Sequence, residues 1–147
     1  MKQTHFLLLF LLLSVLLIFL ASNHIYADIQ TDLDVSEMTI TFHETDATAE
    51  IKYNVGALTH IYIFFFGSRN LDPFIEDFLV GFPDHEIKSV NSNTSVVELY
   101  NASRVSGVYY LHDSCPLRSP VDLLTLVYPD GRTKTFENVT ETPNTFY

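Results

Sequence analysis

Alternating hydrophobic and polar positions in the first half of the chain predict β-strands. From Met38 to Phe42 every second residue is apolar, and the same period continues from Ala47 to Val55, beyond the polar Glu44-Thr45-Asp46. Successive side chains of a strand point to opposite faces, so this pattern gives each strand one apolar face. Two such strands around a short polar segment predict a β-hairpin.

A continuous apolar run follows the hairpin, from Val55 to Phe66, between Asn54 and Gly67. Its length exceeds that of most strands and favours a helix, with Asn54 as the N-cap and Gly67 as the left-handed residue after the last turn. Its β-branched and aromatic residues favour a strand instead. We take the helix as the preferred interpretation.

A second, short helix is predicted at Asp72-Pro73. Asp is a good N-cap, and Pro is tolerated at the first helical position, where its missing N–H would have no partner in any case. Phe74, Phe78 and Leu79 then form one apolar stripe before Gly81.

Strand patterns return after this helix. They are Glu86–Val90, Val96–Tyr100, Gly107–His112, Val121–Tyr128 and Arg132–Asn138. Val121–Tyr128 is apolar on both faces, which predicts a central strand covered on both sides, whereas Arg132–Asn138 suits an edge strand. Tyr128-Pro129-Asp130-Gly131 joins them with residues typical of a tight turn. The segregation of about seven strands from one or two short helices predicts an α+β fold with a mainly antiparallel sheet.

Residues 1–27 have a different character, because Phe6 to Leu20 is apolar except for Ser14 and Lys2 supplies a positive start. This pattern predicts a secretory signal peptide, and the apolar run is short of the roughly 18–20 residues that span a bilayer. Ala27 marks the predicted cleavage site. An uncleaved segment would instead anchor the protein in the membrane, with the remainder outside. Residues 28–147 are therefore predicted to form a single exported α+β domain, secreted or tethered to the membrane by its N-terminal leader, residues 1–27.

Charge and cysteine content narrow the possible functions. The chain has 18 acidic residues against 8 Lys and Arg, a net charge of −10. Scarce, scattered basic residues argue against nucleic-acid binding, which requires clustered cations. The single Cys excludes an intramolecular disulfide framework and a zinc site built on several cysteines. No cofactor is implied.

Several segments together resemble a group of short exported proteins of methanogenic archaea that has no established function. They are Ile51-Lys52-Tyr53, Ile61-Tyr62 to Phe66-Gly67-Ser68, Leu71-Asp72-Pro73, Tyr109-Tyr110 with His112-Asp113-Ser114, and Tyr128-Pro129-Asp130-Gly131 followed by Lys134-Thr135-Phe136. The resemblance covers most of residues 38–147. It implies export and an archaeal cell-envelope setting, and it assigns no catalytic or binding residue.

One segment gathers the residue types of nucleophilic catalysis. His112, Asp113, Ser114 and Cys115 offer a base, a carboxylate, a hydroxyl and a thiol, followed by Pro116. Neighbours on a strand point to opposite faces, however, and catalysis needs the base within hydrogen-bond reach of the thiol. The alternative is a strand ending in a turn, with Asp113 or Ser114 bonding local backbone and Cys115 buried as a small hydrophobe.

Metal sites are weakly supported by the spacing of possible ligands. The acidic residues between Asp28 and Glu50 do not follow the spacing of a calcium-binding loop, and a solvated acidic surface is the simpler interpretation. His43, His60, His85 and His112 show no paired metal-binding spacing. His60, within the apolar run, is expected to be a hydrogen-bonded core histidine.

Three segments match the N-glycosylation acceptor pattern: Asn93-Thr94-Ser95, Asn101-Ala102-Ser103 and Asn138-Val139-Thr140. Export would give these sites access to the glycosylation machinery, so a glycoprotein is one expectation.

The sequence leads to three functional hypotheses. The first is a non-catalytic, exported interaction module that contacts envelope proteins or wall polymers, does not bind nucleic acid, and meets the membrane only through an uncleaved leader. The second is a thiol or hydrolase-type enzyme that uses Cys115 and His112, with Asp113 as a further candidate catalytic residue. The third is an acidic cation- or ligand-binding protein.

Overall fold

The computed structural model describes residues 12–13 and 34–147. The chain separates into two compact units, Met1–Asp32 and Leu33–Tyr147, and the strands and helices described below lie in the second. Most of the predicted leader, with its cleavage site, and residues 28–33 lie outside the described residues. Within the described part of the chain, no helix is long and apolar enough to cross a membrane.

The described residues form an α+β fold in which strands predominate, as predicted. The strands are β1 Asp34–His43, β2 Asp46–Asn54, β3 His85–Val90, β4 Thr94–Leu99, β5 Arg104–Ser106, β6 Tyr109–His112, β7 Pro116–Val127, β8 Thr133–Glu141 and β9 Thr145–Phe146. Two short α-helices, α1 Ala57–Phe66 and α2 Asp72–Phe78, lie between β2 and β3 with a 3₁₀ turn, Ser68–Leu71, between them. The described strands number nine and not about seven. The two additional strands, β5 with three residues and β9 with two, are too short to show an alternating pattern in the sequence.

Six strands form the main sheet in the order β3-β4-β2-β1-β7-β8. All neighbours in it are antiparallel except β1 and β7, which run parallel with Val35 opposite Val121 and Thr41 opposite Val127. The remaining strands form a second, antiparallel sheet in the order β5-β6-β9. The prediction of mainly antiparallel pairing is confirmed, but the strands form two sheets and not the single sheet that was expected.

The predicted hairpin is β1–β2, and it supplies much of the core. Alternate residues of both strands are buried: Val35, Met38, Ile40, Phe42, Ala47, Ala49, Ile51 and Tyr53. Glu44 in the connecting turn has a φ of 56°. The period of two in the sequence therefore corresponds to one face of the sheet packed inward.

The apolar run after β2 is the helix α1, although its N-cap is Gly56 and not Asn54. Asn54 is the last residue of β2, so the strand occupies the predicted cap position. The helix ends where predicted, since Gly67 follows it with a φ of 89° that a residue without a Cβ adopts readily.

Helix α2 also forms where predicted and packs inward. Phe74, Ile75 and Phe78 of this helix are buried, and so is Leu79 just after it. Asp72 is the first helical residue and Leu71 the N-cap, so the helix begins one residue earlier than expected.

The predicted positions of the last two long strands are confirmed: β7 is a central strand and β8 is an edge strand. β7 lies between β1 and β8 and buries Val121, Leu124 and Leu126, whereas its opposite face, with Leu123, is only half-buried. One face of β7 is therefore covered, whereas the other face, which was also expected to be covered, is covered only in part.

The predicted turn before β8 is confirmed. The backbone N–H of Gly131 donates to Tyr128 O at 2.9 Å, and Gly131 has a φ of 82°.

Candidate functional site

His112 ends β6 and is almost completely buried, at 1% exposure. Its Nδ1 lies 2.6 Å from the backbone oxygen of Ala102, and its Nε2 lies 2.8 Å from Thr142 Oγ1. A carbonyl oxygen can only accept, so Nδ1 carries the proton. Nε2 of the neutral ring therefore accepts a hydrogen bond from the Thr142 hydroxyl.

Thr142 links this histidine to the backbone of Cys115. Its hydroxyl oxygen accepts from the Cys115 N–H at 2.9 Å, and its own N–H donates to Cys115 O at 2.9 Å. The hydrogen bonds thus run in one direction, from the Cys115 N–H through the Thr142 hydroxyl to His112 and on to Ala102. Burial lowers the pKa of His112, which agrees with a neutral ring that uses both nitrogens in the core.

The thiol of Cys115 lies beside Thr142, and its Sγ donates to Asp113 O at 3.4 Å. Burial raises the pKa of this half-buried thiol, and the interaction with Thr142 has a smaller and opposite effect. Within the described residues, Cys115 Sγ makes no hydrogen bond to a histidine nitrogen. The thiol-enzyme hypothesis therefore lacks its required thiol–base contact in this arrangement and stays a prediction.

Asp113 and Ser114, the other polar residues of the segment, make separate contacts. The exposed carboxylate of Asp113 receives hydrogen bonds from Arg104 at 3.0 and 3.3 Å, which lower the pKa of Asp113. The backbone N–H of Ser114 donates to Asn144 Oδ1 at 2.8 Å. The three neighbouring residues therefore have different surroundings. His112 is in the core, Asp113 is in an exposed ion pair, and Ser114 contacts a loop.

Two shallow depressions of about 280 and 150 Å³ adjoin the Arg104–Asp113 ion pair. Both are lined in part by Leu111, and Cys115 lines the smaller one. They are open to solvent and hold no arrangement of a nucleophile with a base.

The possible metal ligands remain apart in the described part of the chain, which has no group of three or more His, Cys, Asp or Glu side chains able to hold an ion. Glu37 pairs with Lys52 at 3.0 Å, and the Asp46 carboxylate accepts from the Asn101 N–H at 2.9 Å. The expectation for His60 is wrong, because this histidine is exposed and His112 is the one that is hydrogen-bonded in the core.

The three glycosylation patterns differ in accessibility. Asn93, Asn101 and Asn138 are all exposed. The acceptor pattern also requires the hydroxyl two residues later, and Ser95 and Ser103 are buried. Asn138-Val139-Thr140 alone presents both its Asn and its hydroxyl residue at the surface.

An exposed apolar surface on helix α1 was not identified by sequence reasoning. Helix α1 exposes a group of large apolar side chains, Ile61, Phe64, Phe65 and Phe66, with exposures from 55% to 82%. We refer to these four residues as the α1 apolar face. Its only signal in the sequence is an apolar run with no polar stripe, a pattern that identifies the helix but not the side left uncovered.

Two aromatic contacts involve the side chains of this face. The rings of Phe64 and Phe65 meet edge to face at 5.3 Å, and Tyr62 packs on Phe66 one turn away at 4.9 Å. Ile61, Phe64 and Phe65 follow the i, i+3, i+4 spacing of a single helix side, whereas Phe66 lies about 100° further round the helix, against Tyr62. Thr59, by contrast, is buried.

Comparisons of this chain with protein-family models, curated proteins and solved structures found no match.

Proposed function

We propose that this chain is an exported, non-catalytic contact module of the cell envelope, which binds an apolar surface of another envelope component through the α1 apolar face. The single observation that carries the proposal is the exposure of four neighbouring large apolar side chains on one short helix. Scattered apolar residues are normal on protein surfaces, whereas a contiguous patch typically marks an interaction site.

The site of the candidate catalytic segment supports a non-catalytic role. A thiol enzyme needs a base that is free to accept the thiol proton. Both ring nitrogens of His112 are already hydrogen-bonded to Ala102 and Thr142, and burial raises the pKa of Cys115. This arrangement favours stability over nucleophile activation.

Export is the other half of the proposal. It rests on the leader at residues 1–27 and on the resemblance to exported archaeal proteins. An extracytoplasmic location, secreted or tethered, would put the α1 apolar face within reach of lipids, envelope proteins and wall polymers.

Photo-crosslinking in intact cells tests the proposal. A photoreactive phenylalanine analogue replaces Phe65 in the full chain, and a matched variant carries it at Phe146, an exposed phenylalanine on β9. We expect crosslinked adducts with an envelope component from position 65 and few from position 146. Equal labelling at both positions, or no adduct at position 65, would contradict the proposal.

A further inference from the structure

The α1 apolar face lies in a part of the chain that is free of acidic residues. Between Ile51 and Leu71 there is no Asp or Glu, although the chain contains 18 acidic residues in all. Arg69, just after α1, forms an ion pair with Asp72 at 3.4 Å, so its charge is balanced. The face is therefore uncharged on a strongly acidic protein.

We propose that the occupant of the α1 apolar face is a lipid bilayer, with α1 lying along the boundary between headgroups and acyl chains. This inference rests on the proposed function and specifies its target. Wall polymers are recognised largely by hydrogen bonds, and the four side chains of the face offer none. A lipid surface accepts apolar side chains without requiring matched polar partners.

The dimensions of α1 fit a helix that lies on a membrane and does not cross it. Its ten residues span about 15 Å, half the thickness of the hydrocarbon layer. Trp and Tyr are common where a protein meets the headgroup region, and Tyr62, half-buried beside the face, has a polar hydroxyl for that region. Insertion of the phenylalanines would remove from water the surface that the fold leaves exposed.

The leader would keep this face near a bilayer. If Phe6 to Leu20 stays in the membrane, the intervening residues 21–33 reach at most about 45 Å even when fully extended. Confinement to that distance raises the effective concentration of α1 at the lipid surface, so even weak docking is populated.

Charge predicts which lipids are preferred. A protein with a net charge of −10 is repelled by anionic headgroups, so docking should be strongest on zwitterionic lipid. Added anionic lipid should weaken docking at low salt, and salt should restore it by screening the repulsion.

Fluorescence offers a direct test, because the chain contains no Trp. The full-length Phe65→Trp variant is reconstituted in phosphatidylcholine vesicles with brominated acyl chains, which quench a Trp that enters the lipid. Phe146→Trp is the matched control, since Phe65 and Phe146 are 72% and 67% exposed, and Phe146, which contacts Tyr109 on the second sheet, also tests a different exposed aromatic pair. We expect a blue-shifted Phe65→Trp emission that bromine quenches at least about twofold, and little quenching for Phe146→Trp.

Further substitutions show whether the whole face inserts. Replacing Ile61 and Phe64 by Ser in the Phe65→Trp protein should abolish the quenching, because the neighbouring apolar surface is lost. Quenching that persists in this variant would mean that the new Trp inserts alone, and the lipid proposal would be wrong.

The outcomes separate this inference from the proposed function. If Phe65→Trp is quenched no more than Phe146→Trp, while crosslinks from position 65 reach an envelope protein or a wall polymer, the lipid target is wrong and the contact module stands. Crosslinks that reach only a second copy of the chain would contradict both proposals. Without quenching and without crosslinks, both proposals fail.

Discussion

His112 is a histidine whose surroundings fix both its tautomer and its charge. Its Nδ1 donates to Ala102 O, and its Nε2 accepts from Thr142, so protonation of Nε2 would reverse that bond and leave the Thr142 hydroxyl proton without this acceptor. Burial lowers the pKa of His112 because the charged ring loses its hydration in the core. A group whose folded-state pKa is depressed favours the unfolded state as the pH falls below its unfolded value.

We therefore expect the free energy of unfolding to decrease as the pH falls below about 6.5, the ordinary histidine value, until the folded-state pKa is passed. His112→Gln removes this titration, so the loss between about pH 7.5 and pH 5.5 should be smaller than in the wild type. Urea denaturation at both pH values measures the free energy of unfolding of each protein. His43→Gln, at an exposed position, is the control for the loss of a histidine as such. An unchanged pH dependence in His112→Gln would contradict this account.

Cys115 should react slowly with alkylating reagents at neutral pH. The thiolate is the reactive form, and burial raises the pKa of this thiol. We expect iodoacetamide to label Cys115 more slowly than free cysteine at pH 7, with a rate that rises about tenfold per pH unit on approaching the pKa. His112→Gln should not alter that rate in the folded protein. A fast rate that collapses in His112→Gln would revive the thiol-enzyme hypothesis.

At the level of elements, local patterns were the predictable ones. The β1–β2 hairpin and the Tyr128–Gly131 turn depend on residues close in the chain, and both are confirmed. The parallel pairing of β1 with β7 was not predicted, because it joins distant segments that carry no mutual signal. For the same reason the partner of His112 was missed, since Thr142 lies 30 residues away.

The edge strand β8 carries the accessible glycosylation pattern, Asn138-Val139-Thr140. Asn138 has a φ of 51°, a conformation that Asn tolerates better than most residues. A glycan here would also hinder pairing of the edge strand with another chain.

If the protein is exported in a cell that glycosylates Asn, we expect peptide mass spectrometry to find the glycan at Asn138 and not at Asn93 or Asn101. Thr140→Val should remove it without altering Asn138. The reason is that Thr140 is exposed, whereas Ser95 and Ser103 are buried. Glycopeptides that contain Asn93 or Asn101 would contradict the prediction.

At the level of the whole molecule, an aromatic cluster connects the two sheets. Phe42 on β1 of the main sheet lies 5.1 Å from the ring of His112 on β6 and 4.8 Å from Tyr147, which follows β9. The hydroxyl of Tyr147 donates to Glu44 O at 2.7 Å, in the turn after β1. Residues from both sheets thus share one packed interior, while the α1 apolar face contributes little to it.

This division predicts that stability and membrane contact can be changed separately. Phe42→Ala removes a buried ring and should lower the free energy of unfolding by about 3–5 kcal/mol, as is usual for core phenylalanines. Phe65→Ala removes an exposed ring and should change it by no more than about 0.5 kcal/mol. Urea denaturation in detergent-free buffer compares the two. If Phe65→Ala were as destabilising as Phe42→Ala, the α1 apolar face would be part of the packed interior and unavailable to a bilayer.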